Sequence, residues 1–107
     1  MPVSISTHVL DTALGRPAEA VRTTLESLEP KGLQLDATTG KDGRIHFPSG
    51  QLPSGTYRLR FDTEGYFAKQ KSSTLYPYIE ITFAVTEGHY HIPLLLTPYG
   101  YSTYRGS

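Results

Sequence analysis

Apolar and polar residues alternate in short runs along this chain, and that alternation constrains its fold more than any other feature. In VSISTHVL, Val3, Ile5 and Thr7 take one side, while Ser4, Ser6 and His8 take the other. Val21, Thr23 and Leu25 alternate with Arg22, Thr24 and Glu26, and Tyr57, Leu59 and Phe61 with Arg58 and Arg60. Ile79, Ile81, Phe83 and Val85 share a third such side. Successive side chains of a strand leave opposite faces, so these runs predict half-buried strands. Turn-forming clusters separate them: LGRPA, EPKG, TGKDG, PSGQLPSG and TEGH. The pattern predicts an all-β sandwich. One segment, FDTEGYFAKQKSSTLYP, is too long for a tight turn. There Asp62 or Thr63 is placed to cap one short helix reaching about Lys69, with Gly65 acting against it.

Length and charge narrow the function. The 107 residues fit one domain, 1–107, with no repeat, low-complexity segment or linker. So small a core gains from self-association. Ten acidic and ten basic residues cancel, and no basic run points to nucleic acid. Without cysteine there is neither a disulfide nor a thiolate metal site. The longest apolar stretch, IPLLL, is too short to span a bilayer. The first residues lack the layout of a secretion signal and the last are not a peroxisomal signal. The expectation is a soluble, cytoplasmic protein without nucleic-acid or membrane partners.

Candidate chemistry gathers late in the chain. His89 and His91 stand two apart, so on a strand both leave one face, with Ile92, Leu94 and Leu96 on the other. Pro93 falls on the histidine side. Lacking an N–H, it predicts a strand near an edge or with a bulge. His8 shares the polar side of its own run with Ser4 and Ser6. Solvent-facing histidines are the ordinary outcome of such spacing. A His-x-His pair plus a third histidine is also compatible with zinc, and spacing alone does not choose. Arg44 follows the KDG turn. It is either solvated at a hairpin exit or held there to meet a carbonyl-rich or anionic planar ligand. Pro98 and Gly100 mark a turn, so 89–97 and 101–105 are expected to form a hairpin. That hairpin accounts for Tyr101 but leaves Tyr104, Arg105 and Ser107 without a purpose. There is no nucleophile elbow, phosphate loop, His-Glu-x-x-His motif or evident acid pair.

The ending YSTYRGS resembles the C-terminal signature of the transthyretin-related 5-hydroxyisourate hydrolases. STHVLDTALGRPAEAV is similar to that family's N-terminal signature, and TTGKDGRI to its Thr-x-x-Asp-Gly-Arg turn. GYF, LYPYIEITF and HYHIPLLLTPYGYSTYRGS follow its second half in order, so the resemblance covers nearly the whole chain. It implies a transthyretin-like β-sandwich of two four-stranded sheets with a short helix. It also implies a homotetramer, a dimer of dimers, with reaction sites in the channel between dimers. The implied reaction is hydrolysis of 5-hydroxyisourate to 2-oxo-4-hydroxy-4-carboxy-5-ureidoimidazoline in urate (purine) catabolism, with no cofactor and no metal.

By the same resemblance His8, Arg44, His91 and Tyr104 form the site. His8 and His91 would move protons, with base and acid undivided between them. Arg44 would orient the substrate and stabilise negative charge, and Tyr104 would hydrogen-bond or stack on the ring. His89 and Ser107 line the neighbourhood, while His46 matches no site position. The RTTLESLEP strand is more polar than such a sandwich leads one to expect. A non-catalytic small-molecule carrier is the alternative, since transthyretin shares the fold but lacks the histidine set and the Tyr-Arg-Gly-Ser ending.

Overall fold

The alternating runs become strands of two packed sheets in a computed structural model, which describes residues 3–47 and 52–107. The first half of the PSGQLPSG turn, 48–51, lies outside the described residues. In chain order the strands are β1 (Val3–Asp11), β2 (Arg16–Pro17), β3 (Arg22–Glu29), β4 (Lys31–Thr38), β5 (Arg44–His46), β6 (Gly55–Phe61), β7 (Ile79–Val85), β8 (Gly88–Thr97) and β9 (Gly100–Thr103). The helix, α1 (Thr63–Ala68), lies between β6 and β7. Its N-cap is Asp62, whose carboxylate accepts from the Gly65 N–H at 3.0 Å. Gly65 is tolerated because a side chain there would collide with that capping carboxylate.

One sheet runs β4-β3-β6-β7, all antiparallel. The other runs β2-β1-β8-β9, with β5 also on β1, and so has five strands where four were expected. The extra count is local. β8 lies parallel to β1 along its whole length, from Val3↔Gly88 to Asp11↔Leu96. The short β2 and β5 therefore share the remaining edge of β1 end to end, β5 opposite Ser6 to His8 and β2 opposite Leu10 and Asp11. Level with β2 the sheet is four strands wide, β2-β1-β8-β9; level with β5 it is three, β5-β1-β8, joined beyond only by the His91↔Gly106 bridge.

The facing sides fill with the residues that alternation assigned to them. Ile5, Val9, Ile92, Leu94 and Leu96 meet Leu25, Tyr57, Leu59, Phe61 and Ile79, all buried. The polar RTTLESLEP strand fits because its inward hydroxyls are satisfied. Thr23 donates to the Val21 carbonyl at 3.2 Å, and Ser27 accepts from the Leu33 N–H at 2.9 Å. Buried Asp11 closes the turn after β1 through the Ala13 and Leu14 N–H groups and accepts from the Tyr66 hydroxyl at 2.7 Å, tying α1 to the sheet. Burial and that bond push the Tyr66 hydroxyl up to about 12. Among the described residues no helix is long and apolar enough to cross a membrane.

Candidate active site

The turn before β5 fixes Arg44. Gly43 has φ +77°, and a β-carbon there would strike the Val9 carbonyl, so only glycine fits this approach to β1. Its carbonyl accepts from the Val9 N–H at 2.8 Å, while the Asp42 carboxylate takes the Arg44 N–H at 3.0 Å. Cross-strand pairing then sets Arg44 opposite His8. The Asp42 carbonyl accepts from Nε2 of His8 at 2.8 Å. A carbonyl can only accept, so Nε2 carries the proton and Nδ1 is left free.

The parallel β1–β8 ladder sets Ser4 level with His89 and Ser6 level with His91. Their side chains are linked. Ser4 Oγ lies 2.6 Å from Nδ1 of His89, and Ser6 Oγ lies 3.0 Å from Nε2 of His89 and 2.7 Å from Nδ1 of His91. The His91 ring centroid is 6.5 Å from those of both His8 and His89. Burial, followed by the positive fields of Arg44, His8, His89 and His46, holds His91 below the ordinary histidine value of 6.5. Its neutral form is therefore favoured at neutral pH, as a base requires. Among the described residues no group of three or more His, Cys, Asp or Glu side chains could hold a metal ion.

Pro93 leaves β8 unbulged and, as expected, lies near an edge, since only β9 lies beyond β8 in the sheet. It lies in β8, flanked by β1 and β9, and breaks only the β9 ladder. Pairing runs from Thr97↔Gly100 to Leu94↔Thr103, lapses at Pro93, and resumes in the same register as the His91↔Gly106 bridge. Without an N–H, Pro93 cannot complete the pair with Tyr104. Thr103 instead donates its hydroxyl to the Pro93 carbonyl at 2.6 Å. Tyr104 thus lies outside the regular ladder, 56% exposed, between Thr103 and the bridge. The bridge seats Gly106 on the His91 ring, where a β-carbon would come within 2.5 Å of Cδ2. Arg105 lies over the Tyr90 ring, 4.2 Å from its centroid, and Ser107 is exposed.

His8, Arg44 and His91 therefore share one sheet face, and Tyr104 is held close to it by the tail. Sequence reasoning did not connect three neighbours of these residues to them: Ser4 and Ser6, which hydrogen-bond the histidines, and His46, which pairs with Ser6 across the sheet. The signal for His46 was present, because it stands two residues beyond Arg44 on an alternating strand. In a single protomer this face is an open surface. A concavity of about 690 Å³ lies on the other sheet, lined by Arg22, Asp36, Arg60 and Tyr78 among others.

Known proteins resemble this chain in sequence and in fold. A 5-hydroxyisourate hydrolase from Mus musculus is 43% identical over 96% of this chain and 94% of its own length. The solved Klebsiella pneumoniae 5-hydroxyisourate hydrolase superposes with a TM-score of 0.88 at 37% identity, over 98% of this chain and 94% of that one. Sea bream transthyretin in complex with thyroxine superposes with a TM-score of 0.86 at 32% identity, over 95% of this chain and 93% of that one. Residues 5–106 match the profile described as the HIUase/Transthyretin family, which leaves outside it only the first four residues and the last, and the chain belongs to that family.

Proposed function

We propose that the chain hydrolyses 5-hydroxyisourate in urate catabolism. The observation that carries this is a base-competent His91 on the same sheet face as His8 and Arg44, in a chain close to hydrolases of that name. Water attacks a ring carbonyl carbon, and neutral His91 takes the proton through Nε2. Arg44, whose guanidinium is planar and permanently charged, orients the substrate and stabilises the oxyanion. His8, whose Nε2–H is held by the Asp42 carbonyl, gives a proton from Nδ1 to the leaving nitrogen as the doubly protonated imidazolium and returns to the neutral Nε2–H form. Tyr104 bounds the substrate from the tail. Each positioned acid or base is worth about 10²–10⁴ in rate. No step calls for a metal or cofactor.

The same reading gives one domain over 1–107 and a homotetramer of two dimers, in a cytoplasmic setting. Support for assembly is physical: a reaction on an open sheet face gains water exclusion only if another copy covers it. A carrier of an apolar ligand would favour an apolar face, whereas this one carries histidines, serines and an arginine. The test is direct. Purified protein is mixed with freshly made 5-hydroxyisourate, and the decay of its ultraviolet absorption is followed against a protein-free control. Accelerated decay, lowered about 10²-fold by His8→Ala or His91→Ala, is expected. Decay no faster than the control would overturn the assignment.

A further inference from the structure

Four side chains on this face form an unbroken hydrogen-bonded row: Ser4, His89, Ser6 and His91, with links of 2.6, 3.0 and 2.7 Å. Every member can both accept and donate a proton. The row crosses a buried hydroxyl to reach solvent: His91 and Ser4 are half-buried, Ser6 is 1% exposed and His89 is exposed. We propose that Ser4, His89 and Ser6 form a proton relay that carries the proton taken up by His91 to solvent. The chemical step rests on the hydrolase reading above.

The row has two polarities, and both satisfy every link. In the first, His91 donates from Nδ1 to Ser6, Ser6 donates to Nε2 of His89, and His89 donates from Nδ1 to Ser4. His91 then offers a bare Nε2. When Nε2 takes a proton from the attacking water, the Nδ1 proton passes to Ser6 Oγ. The Ser6 proton passes to Nε2 of His89, the His89 Nδ1 proton to Ser4 Oγ, and the Ser4 proton to solvent. One proton enters, one leaves, and every group ends neutral in the opposite polarity. Exchange of the Nε2 proton with solvent, matched by one proton entering at Ser4, restores the start.

A relay answers a need of this site. The groups around His91 are Arg44 and His46 from β5, His8 from β1 and His89 from β8, with Arg105 of the tail reaching the His89 carbonyl at 3.4 Å. All are cations or can become cations, so a charge left on His91 is repelled from every side. Passing the proton on removes that charge. Imidazole suits the central link because it can take a proton at one nitrogen and release one from the other near neutral pH.

The decisive variant is His89→Gln. An amide can still bridge Ser4 and Ser6 but cannot receive a proton and hand another on. Two readouts are taken on the full chain, with circular dichroism to confirm folding. The first needs no substrate: ¹⁵N spectra of the histidine rings report which nitrogen of His91 is protonated. His89→Gln and Ser6→Ala should each change the Nδ1–H to Nε2–H balance of His91, and Ser6→Thr, which keeps the hydroxyl, should restore it. The second is kinetic. His89→Gln should lower kcat about tenfold or more with KM little changed, as expected for loss of a proton-transfer partner. A solvent-deuterium proton inventory should turn from curved, with several protons in flight, to linear. An unchanged His91 tautomer balance, or kcat within twofold of the parent with a curved inventory, would overturn the relay. If the parent itself fails to hydrolyse 5-hydroxyisourate, the reaction assigned above falls, and the ring-nitrogen spectra still decide the relay.

Discussion

Protonating His91 is disfavoured first by burial and then by the charge of Arg44, and this fixes the direction of its pH response. Its folded pKa lies below 6.5, so the neutral base persists at pH values where an ordinary histidine is half protonated. The acid limb of kcat/KM is therefore expected to have its midpoint below 6.5. Arg44→Gln removes the largest of the charge contributions and should move the His91 midpoint upward, as read by NMR titration of its ring. A midpoint at or above 6.5 in the parent protein would remove the case for His91 as base. Stability follows the same linkage. The unfolded chain protonates this histidine first, so His91 lowers folding stability as pH falls below 6.5 and is without effect well above it. His46, the last of the contributing neighbours, should shift His91 only slightly when changed to Ala and leave turnover nearly intact.

At the scale of elements, the tail is a strand interrupted for a reason. Pro93 ends regular pairing, and Gly106 resumes it directly against the His91 ring. Gly106→Ala must displace that ring, because the new methyl would come within 2.5 Å of it. The expected result is a loss of turnover of about tenfold or more, since small misplacements of a catalytic group are costly. Thermal unfolding should change little, because the bridge lies at the end of the chain. Equal loss of stability and activity would show that the tail supports the sheet generally. The helix makes a contrasting case. Tyr66→Phe leaves one oxygen of the buried Asp11 carboxylate without its 2.7 Å donor. Urea denaturation should show a loss of roughly 1.5–3 kcal/mol, as for hydrogen bonds to charged groups. A change near zero would mean that α1 is held to the sheet by packing alone.

At the scale of the molecule, the residues proposed for catalysis lie on a face that one protomer leaves uncovered. Tyr99, Tyr101 and Tyr104 are 67%, 44% and 56% exposed, a grouping of large aromatic residues that a monomer has little reason to present to water. The homotetramer proposed above would cover them. Sedimentation at micromolar concentration should give four times the mass of one chain. A stable, fully active monomer would remove the shared-site arrangement while leaving the chemistry of each sheet face to be tested by itself.

Local periodicity and turn chemistry made much of this legible beforehand. The sides of β1, β3, β6, β7 and β8 followed from alternation, the short helix from a cap at Asp62 or Thr63, of which the structure uses Asp62, and the terminal hairpin from Pro98 and Gly100. Alternation also put His89 with His91, and Ser4 with Ser6 and His8, because side-chain direction depends only on neighbours along the chain. It could not say that these two rows lie side by side. Ser4 and His89 are 85 residues apart, and they meet because β1 and β8 pair in parallel with their apolar sides on a common core. Strand partner and register are chosen by burial of the whole apolar set, which no local run contains. That choice turned two serines into partners of histidines, set His46 across the sheet from Ser6, and set Gly106 against the ring of His91.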